Sequence, residues 1–116
     1  MTEPRIFKMP FAKIYPLYQA KLHKKQRTTA ELNQVITWLT GMTDVQLQQA
    51  LTDQITCQEF FDHAPQLNPK RQLITGVICG VRVETISDPT MQAIRYLDKL
   101  VDELAHGKTM AQVLRH

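Results

Sequence analysis

The stretch LITGVICGVRVETISDPTMQAIRYLDKLVDE, residues 73–103, decides how this chain is read. It holds the most apolar run, Gly76 and Gly80 four residues apart, the cysteine Cys79, and a clear helix start at Asp88-Pro89. Its first half carries two periods at once. Leu73, Ile74, Val77, Ile78 and Val81 fit helical spacing, whereas Val77, Cys79, Val81 and Val83 fit the alternation of a strand. The β-branched content favours a strand. Three features favour a helix. Asn68-Pro69 is an N-cap followed by an N1 proline. No second convincing strand is present elsewhere, and a lone strand leaves backbone groups without partners. The run also continues into further helix. The expectation is therefore a helix that opens at Asn68-Pro69 and ends near Glu84 or Ile86.

The second half is simpler. Asp88 caps, Pro89 occupies N1, and the helix runs to about His106 before Gly107 ends it. Ile94, Leu97, Val101 and Leu104 form one apolar stripe, with Leu100 alongside. Charged neighbours at i+3 and i+4, such as Arg95 with Asp98 and Lys99 with Glu103, support the helix. Met110, Val113 and Leu114 suggest a last short turn packing back.

Upstream, the punctuation is helical throughout. Residues 4–11 are an irregular lead-in. Ile14, Leu17, Tyr18 and Leu22 recur at helical spacing. Pro16 is tolerable only in a first turn, so this helix is placed at about 14–25. Thr28 with Glu31, Thr43 with Gln46, and Thr56 with Glu59 are capping boxes. They open helices whose apolar residues are Leu32, Val35, Ile36 and Leu39, then Leu47, Ala50 and Leu51, then Phe60 and Phe61. Gly41 is the C′ residue of the first of these, and Pro65 closes the third. The sum is an all-α fold, a compact irregular bundle of about six or seven short helices in a single domain over residues 1–116.

The stretches FAKIYPLYQAK (11–21), ITWLTG (36–41), FFDHAPQLNPKRQLITGVICGVRVE (60–84) and DPTMQAIRYLDKLVDELAHGKTM (88–110) resemble an uncharacterised bacterial family, domain of unknown function twenty-two hundred. The resemblance spans almost the whole chain. It implies a small, stand-alone, one-domain bacterial protein. It brings no catalytic residue, cofactor, metal or ligand.

Composition limits the function classes. Hydrophobic residues are 43% and charged residues 22% of 116, which is ordinary for a folded domain and wrong for a disordered one. A net charge of +3 is small for a dedicated nucleic-acid binder. The basic residues Lys21, Lys24, Lys25 and Arg27, with His23 among them, make one candidate anion patch; as a solvated helix end they would also suit the C-terminal dipole. Residues 1–8 lack the apolar core of a signal peptide, and no apolar run is long enough for a membrane span. A cytoplasmic protein with reduced thiols and no membrane partner is expected.

Residue by residue, bland readings outweigh chemical ones. Gly76 and Gly80 on one helix face would allow close helix packing, inside the chain or between two copies. Cys79 among apolar neighbours reads as a core thiol; a catalytic role would need His63 or Tyr96 nearby. His23, His63, His106 and His116 show no metal-ligand spacing. Residues 32–51 resemble a helix-turn-helix in outline, with Gln46, Gln48 and Gln49 on the second helix. That helix has no Lys or Arg and begins at Asp44, which suits phosphate poorly. The stripe Ile94, Leu97, Val101 and Leu104 is either internal core or the seam of a homodimer. The leading functional reading is a non-catalytic interaction module, homodimeric or docking a protein partner through Gly76, Gly80 and that stripe. The runners-up are a nucleic-acid-binding regulator and a cysteine-dependent enzyme. No catalytic residue, cofactor or metal site is assigned.

Overall fold

The computed structural model describes residues 5–78 and 80–114. Among them are seven α-helices: α1 Arg5–Lys8, α2 Phe11–His23, α3 Thr29–Thr40, α4 Asp44–Thr52, α5 Cys57–Asp62, α6 Pro89–Ala105 and α7 Met110–Val113. Between α5 and α6 the chain forms a 3-10 helix at Pro69–Leu73, strands β1 Val77–Ile78 and β2 Val81–Arg82, and a 3-10 turn at Val83–Thr85. The fold is mostly helical, as the punctuation predicts.

The caps do what their residue types dictate. The hydroxyls of Thr28, Thr43 and Thr56 accept from the backbone N–H of Glu31, Gln46 and Glu59 at 3.2, 3.1 and 3.1 Å. The three N3 side chains accept the cap N–H groups in return. A fourth capping box, Thr109 with Gln112, opens α7 and escaped the sequence reading. Gly41 closes α3 at φ 75°, the left-handed conformation that glycine adopts without strain.

α6 is the central element. It packs against α2, α3, α5, α7 and β1. Its residues Ile94, Leu97, Leu100, Val101 and Leu104 are all essentially inaccessible to solvent. Each such side chain contributes about 1.5–3 kcal/mol relative to exposure. A second focus is aromatic. Phe11 stacks on Phe60 with ring centroids 3.9 Å apart, and Phe61 meets both rings edge-on. An isolated antiparallel bridge between Pro10 and Thr56 fixes this contact. Through it the Phe11 N–H donates to the Ile55 carbonyl, and the Cys57 N–H to the Met9 carbonyl, each at 2.8 Å.

Two expectations are corrected. α2 starts at Phe11, not near Ile14, and carries Pro16 inside it. Burying Phe11 against Phe60 outweighs the backbone bond that an interior proline removes, and Pro16 itself stays exposed. The larger correction concerns residues 69–86, expected as helix. The Asn68-Pro69 signal is used, with the Asn68 side chain accepting the Lys70 N–H at 2.8 Å. It opens only the 3-10 helix. Gly76 at φ 112° and Gly80 at φ 78° then take conformations foreign to an α-helix. Val77 pairs with Arg82 and Ile78 with Val81 in a tight antiparallel hairpin. The missing partner strand lay within the same run.

Candidate functional site

Two surface features stand out: the hairpin and a pair of hollows beside the helix ends.

The hairpin lies on α6. Lys99 Nζ reaches the Val77 carbonyl at 3.3 Å, and the Val83 N–H donates to the Gly76 carbonyl at 3.0 Å. The Gly76 N–H donates to Glu84 Oε1 at 3.1 Å, and Arg82 meets the other oxygen of that carboxylate at 3.4 Å. The backbone N–H groups of Glu84 and Gly76 hold the Glu84 carboxyl below the usual range, with Arg82 adding to the effect. Ile78 turns toward the core, but Val77 and Val81 remain 51% and 44% exposed. Leu73, just before the hairpin, is 57% exposed. Three of the five exposed large apolar side chains among the described residues thus fall within residues 73–81. The expected helical glycine face does not exist; Gly76 and Gly80 instead shape the hairpin.

The other residues singled out above are placed as follows. Ile94, Leu97, Val101 and Leu104 face the interior of this chain. Lys21 pairs with Asp102 at 3.1 Å. Arg27 pairs with Glu31 at 2.9 Å and donates to the Lys108 carbonyl, joining α3 to the segment before α7. Two of the four proposed anion-binding cations are therefore engaged within the fold, while Lys24 and Lys25 are exposed. On α4, the Gln46 side chain is used by its capping box and Gln49 donates to Asp53, which leaves little for reading base edges.

Cys79 and His116 lie outside the described residues. Tyr96 is buried, and burial raises its hydroxyl pKa, with Arg71 opposing. His63 lines a hollow that contains neither Tyr96, Arg82 nor Glu84. The other cysteine, Cys57, is 1% exposed, and burial pushes its thiol up to about 11, with Asp98 contributing. A thiol so held is mostly protonated at neutral pH and a poor nucleophile. Tyr18 donates to Asp98 at 2.5 Å, and Arg95 pairs with the other oxygen at 2.9 Å. Burial, then Asp98, keeps the Tyr18 hydroxyl protonated well past its ordinary value. This part-buried polar set ties α2 to α6. Among the described residues no three histidine, cysteine or carboxylate side chains gather as a metal site would require. No helix among them is long and apolar enough to cross a membrane.

The two hollows share Pro65. One, about 390 Å³, is lined by Trp38, Gly41, Pro65, Gln66, Asn68 and Pro69. The other, about 240 Å³, has an apolar floor of Met42, Ala50, Ile55 and Pro65 and a polar margin of Gln46, Gln49, Asp53 and His63. The loop between them is held down by the Gln66 and Asn68 N–H groups, which donate to the Thr40 and Leu39 carbonyls at 3.1 and 2.9 Å. Sequence reasoning missed this site, because its walls come from three separate helix ends.

Residues 5–115 match a family described as an uncharacterized protein conserved in bacteria. The chain is also similar to the crystal structure of the uncharacterized protein SP1917. The two are 45% identical, with a TM-score of 0.91 over 97% of this chain and 93% of that one. No curated protein matches the sequence.

Proposed function

The chain belongs to this bacterial family, domain of unknown function twenty-two hundred, and we propose that it is a non-catalytic interaction module that pairs with a second copy of itself through the 73–82 hairpin. One observation carries the reading: exposed apolar side chains concentrate at Val77 and Val81 on a two-stranded ribbon and at Leu73 just before it. The Val77 carbonyl on β1 already accepts from Lys99 of α6, so β2 has the outer edge that can accept another strand. The α6 stripe, by contrast, is spent on the chain's own core, so a homodimer would form at the hairpin rather than at the helix seam. The buried, protonated state of Cys57 favours a non-catalytic role.

A contact of this size is small, and small interfaces are weak and transient. The test is sedimentation equilibrium from micromolar to millimolar protein. The wild type is expected to gain mass with concentration, and the variant carrying Val77→Lys and Val81→Lys to stay monomeric. Both positions are half exposed, so the variant should keep the far-ultraviolet spectrum of the parent. A wild type that remains monomeric at millimolar concentration ends the homodimer reading.

A further inference from the structure

We propose that the 240 Å³ hollow beside Pro65 binds the protonated amino group of a short alkyl chain. The proposal is independent of the hairpin reading. Two helices end at this hollow. α4 is capped by Asp53 and α5 by His63, while Met42 lies just before the start of α4. Met42, Asp53 and His63 all line the hollow. A helix C-terminus carries a partial negative charge, and the two ends lie at the same hollow. Asp53 adds a full charge. Its Oδ1 accepts from Gln49 Nε2 at 2.9 Å, and its Oδ2 accepts no hydrogen bond among the described residues. No lysine or arginine lines either hollow, although the chain as a whole carries +3.

The floor sets the rest of the ligand. Met42, Ala50, Ile55 and Pro65 offer apolar surface, which favours an aliphatic stem over a bare inorganic cation. A metal ion would want several oxygen ligands, and the lining supplies one carboxylate. The volume is below that of pockets for drug-sized ligands, so a stem of a few carbons fits and a nucleotide does not. The same chemistry is presented by a free alkylamine and by a lysine side chain of another protein, whose stem also lies along apolar surface while its head seeks charge.

Proton–nitrogen correlation spectra of the full chain at pH 8 test this, with n-pentylamine as the probe. Shifts are expected at Met42, Ala50, Asp53 and Ile55, saturating in the millimolar range and weakening as salt is added. Pentanol and pentanoate, with the same stem, should shift these signals several-fold less. Asp53→Asn should weaken pentylamine several-fold with a melting temperature no lower than the parent's, since Asp53 is exposed and its negative charge sits at the C-terminus of α4. No saturable shifts with pentylamine would overturn the proposal. So would pentanol binding as well as pentylamine, or an Asp53→Asn variant that binds unchanged. A backbone-blocked lysine that binds more tightly than pentylamine identifies a partner lysine as the source; weaker binding identifies the free amine.

Discussion

Replacing Gly41 by alanine isolates how α3 is joined to the loop that carries Pro65. Two costs are distinct. Gly41 sits at φ 75°, and an alanine held in the left-handed region costs about 1–2 kcal/mol. Reduced freedom of the unfolded chain returns about 0.4–1 kcal/mol of stability. The added Cβ would also lie 2.7 Å from the Gln66 carbonyl oxygen and 3.1 Å from its nitrogen. Those are backbone atoms, so no side chain can swing away. The loop must move, and with it the hydrogen bonds from Gln66 and Asn68 to the end of α3. Each is worth about 0.5–1.5 kcal/mol. Gly107 is the control: its φ is 94°, and a Cβ there meets nothing within 4 Å. Gly107→Ala should therefore cost about 1 kcal/mol, from backbone strain less the unfolded-state return. Gly41→Ala should cost about 3 kcal/mol, because the loop contacts go too. At about 4 °C per kcal/mol for a domain of this size, the two variants should melt some 8 °C apart. Urea unfolding followed by circular dichroism gives the free energies. Fluorescence of the single tryptophan, Trp38, which lines the adjoining hollow, reports the loop itself. Equal losses in the two variants, to within about 0.5 kcal/mol, would refute the claim that the contact with Gln66 matters.

Three further outcomes are expected. Pro16→Ala should stabilise the chain by on the order of 1 kcal/mol in urea unfolding, because Pro16 is exposed inside α2 and alanine restores a helical donor; a loss of stability would show that the proline shapes the helix. Cys57, buried with its thiol held near 11, should react with iodoacetamide at pH 8 only as the chain unfolds, so mass spectrometry should find it unlabelled under native conditions. Stability should fall as pH rises past about 10. The hydroxyls of Tyr18, Tyr15 and Tyr96 are all raised by burial, so above that pH the unfolded chain releases protons that the folded chain retains. Thermal melts between pH 8 and pH 11 check this, and a flat profile would contradict the burial of these rings.

What could be read from the chain in advance was whatever is decided within one helical turn. Thr28, Thr43, Thr56 and Asp88 cap because their side-chain oxygens reach a backbone N–H two or three residues on, with no help from the rest of the fold. Gly41 ends α3 for an equally local reason. The apolar stripe of α6 was equally plain in the spacing of Ile94, Leu97, Val101 and Leu104. The hairpin was the misreading. Residues 73–83 satisfy both periods, and the strand sought elsewhere was the second half of the same run. A glycine in the second turn position between β-branched residues, Gly80 after Ile78 and before Val81, was the available signal.

Long-range packing settled the remainder. Which partners the α6 stripe would bury against depends on α2, α3, α5 and α7 meeting around it, and no local spacing encodes that. Phe11 lengthens α2 past its proline only because Phe60, far along the chain, waits to stack on it. The hollow at Pro65 exists because α4, with Met42 before it and Asp53 after it, meets the end of α5 at His63. Sequence fixes a side chain's local geometry through bonds and near neighbours; a cavity is the space left between distant elements, and only the assembled fold defines it.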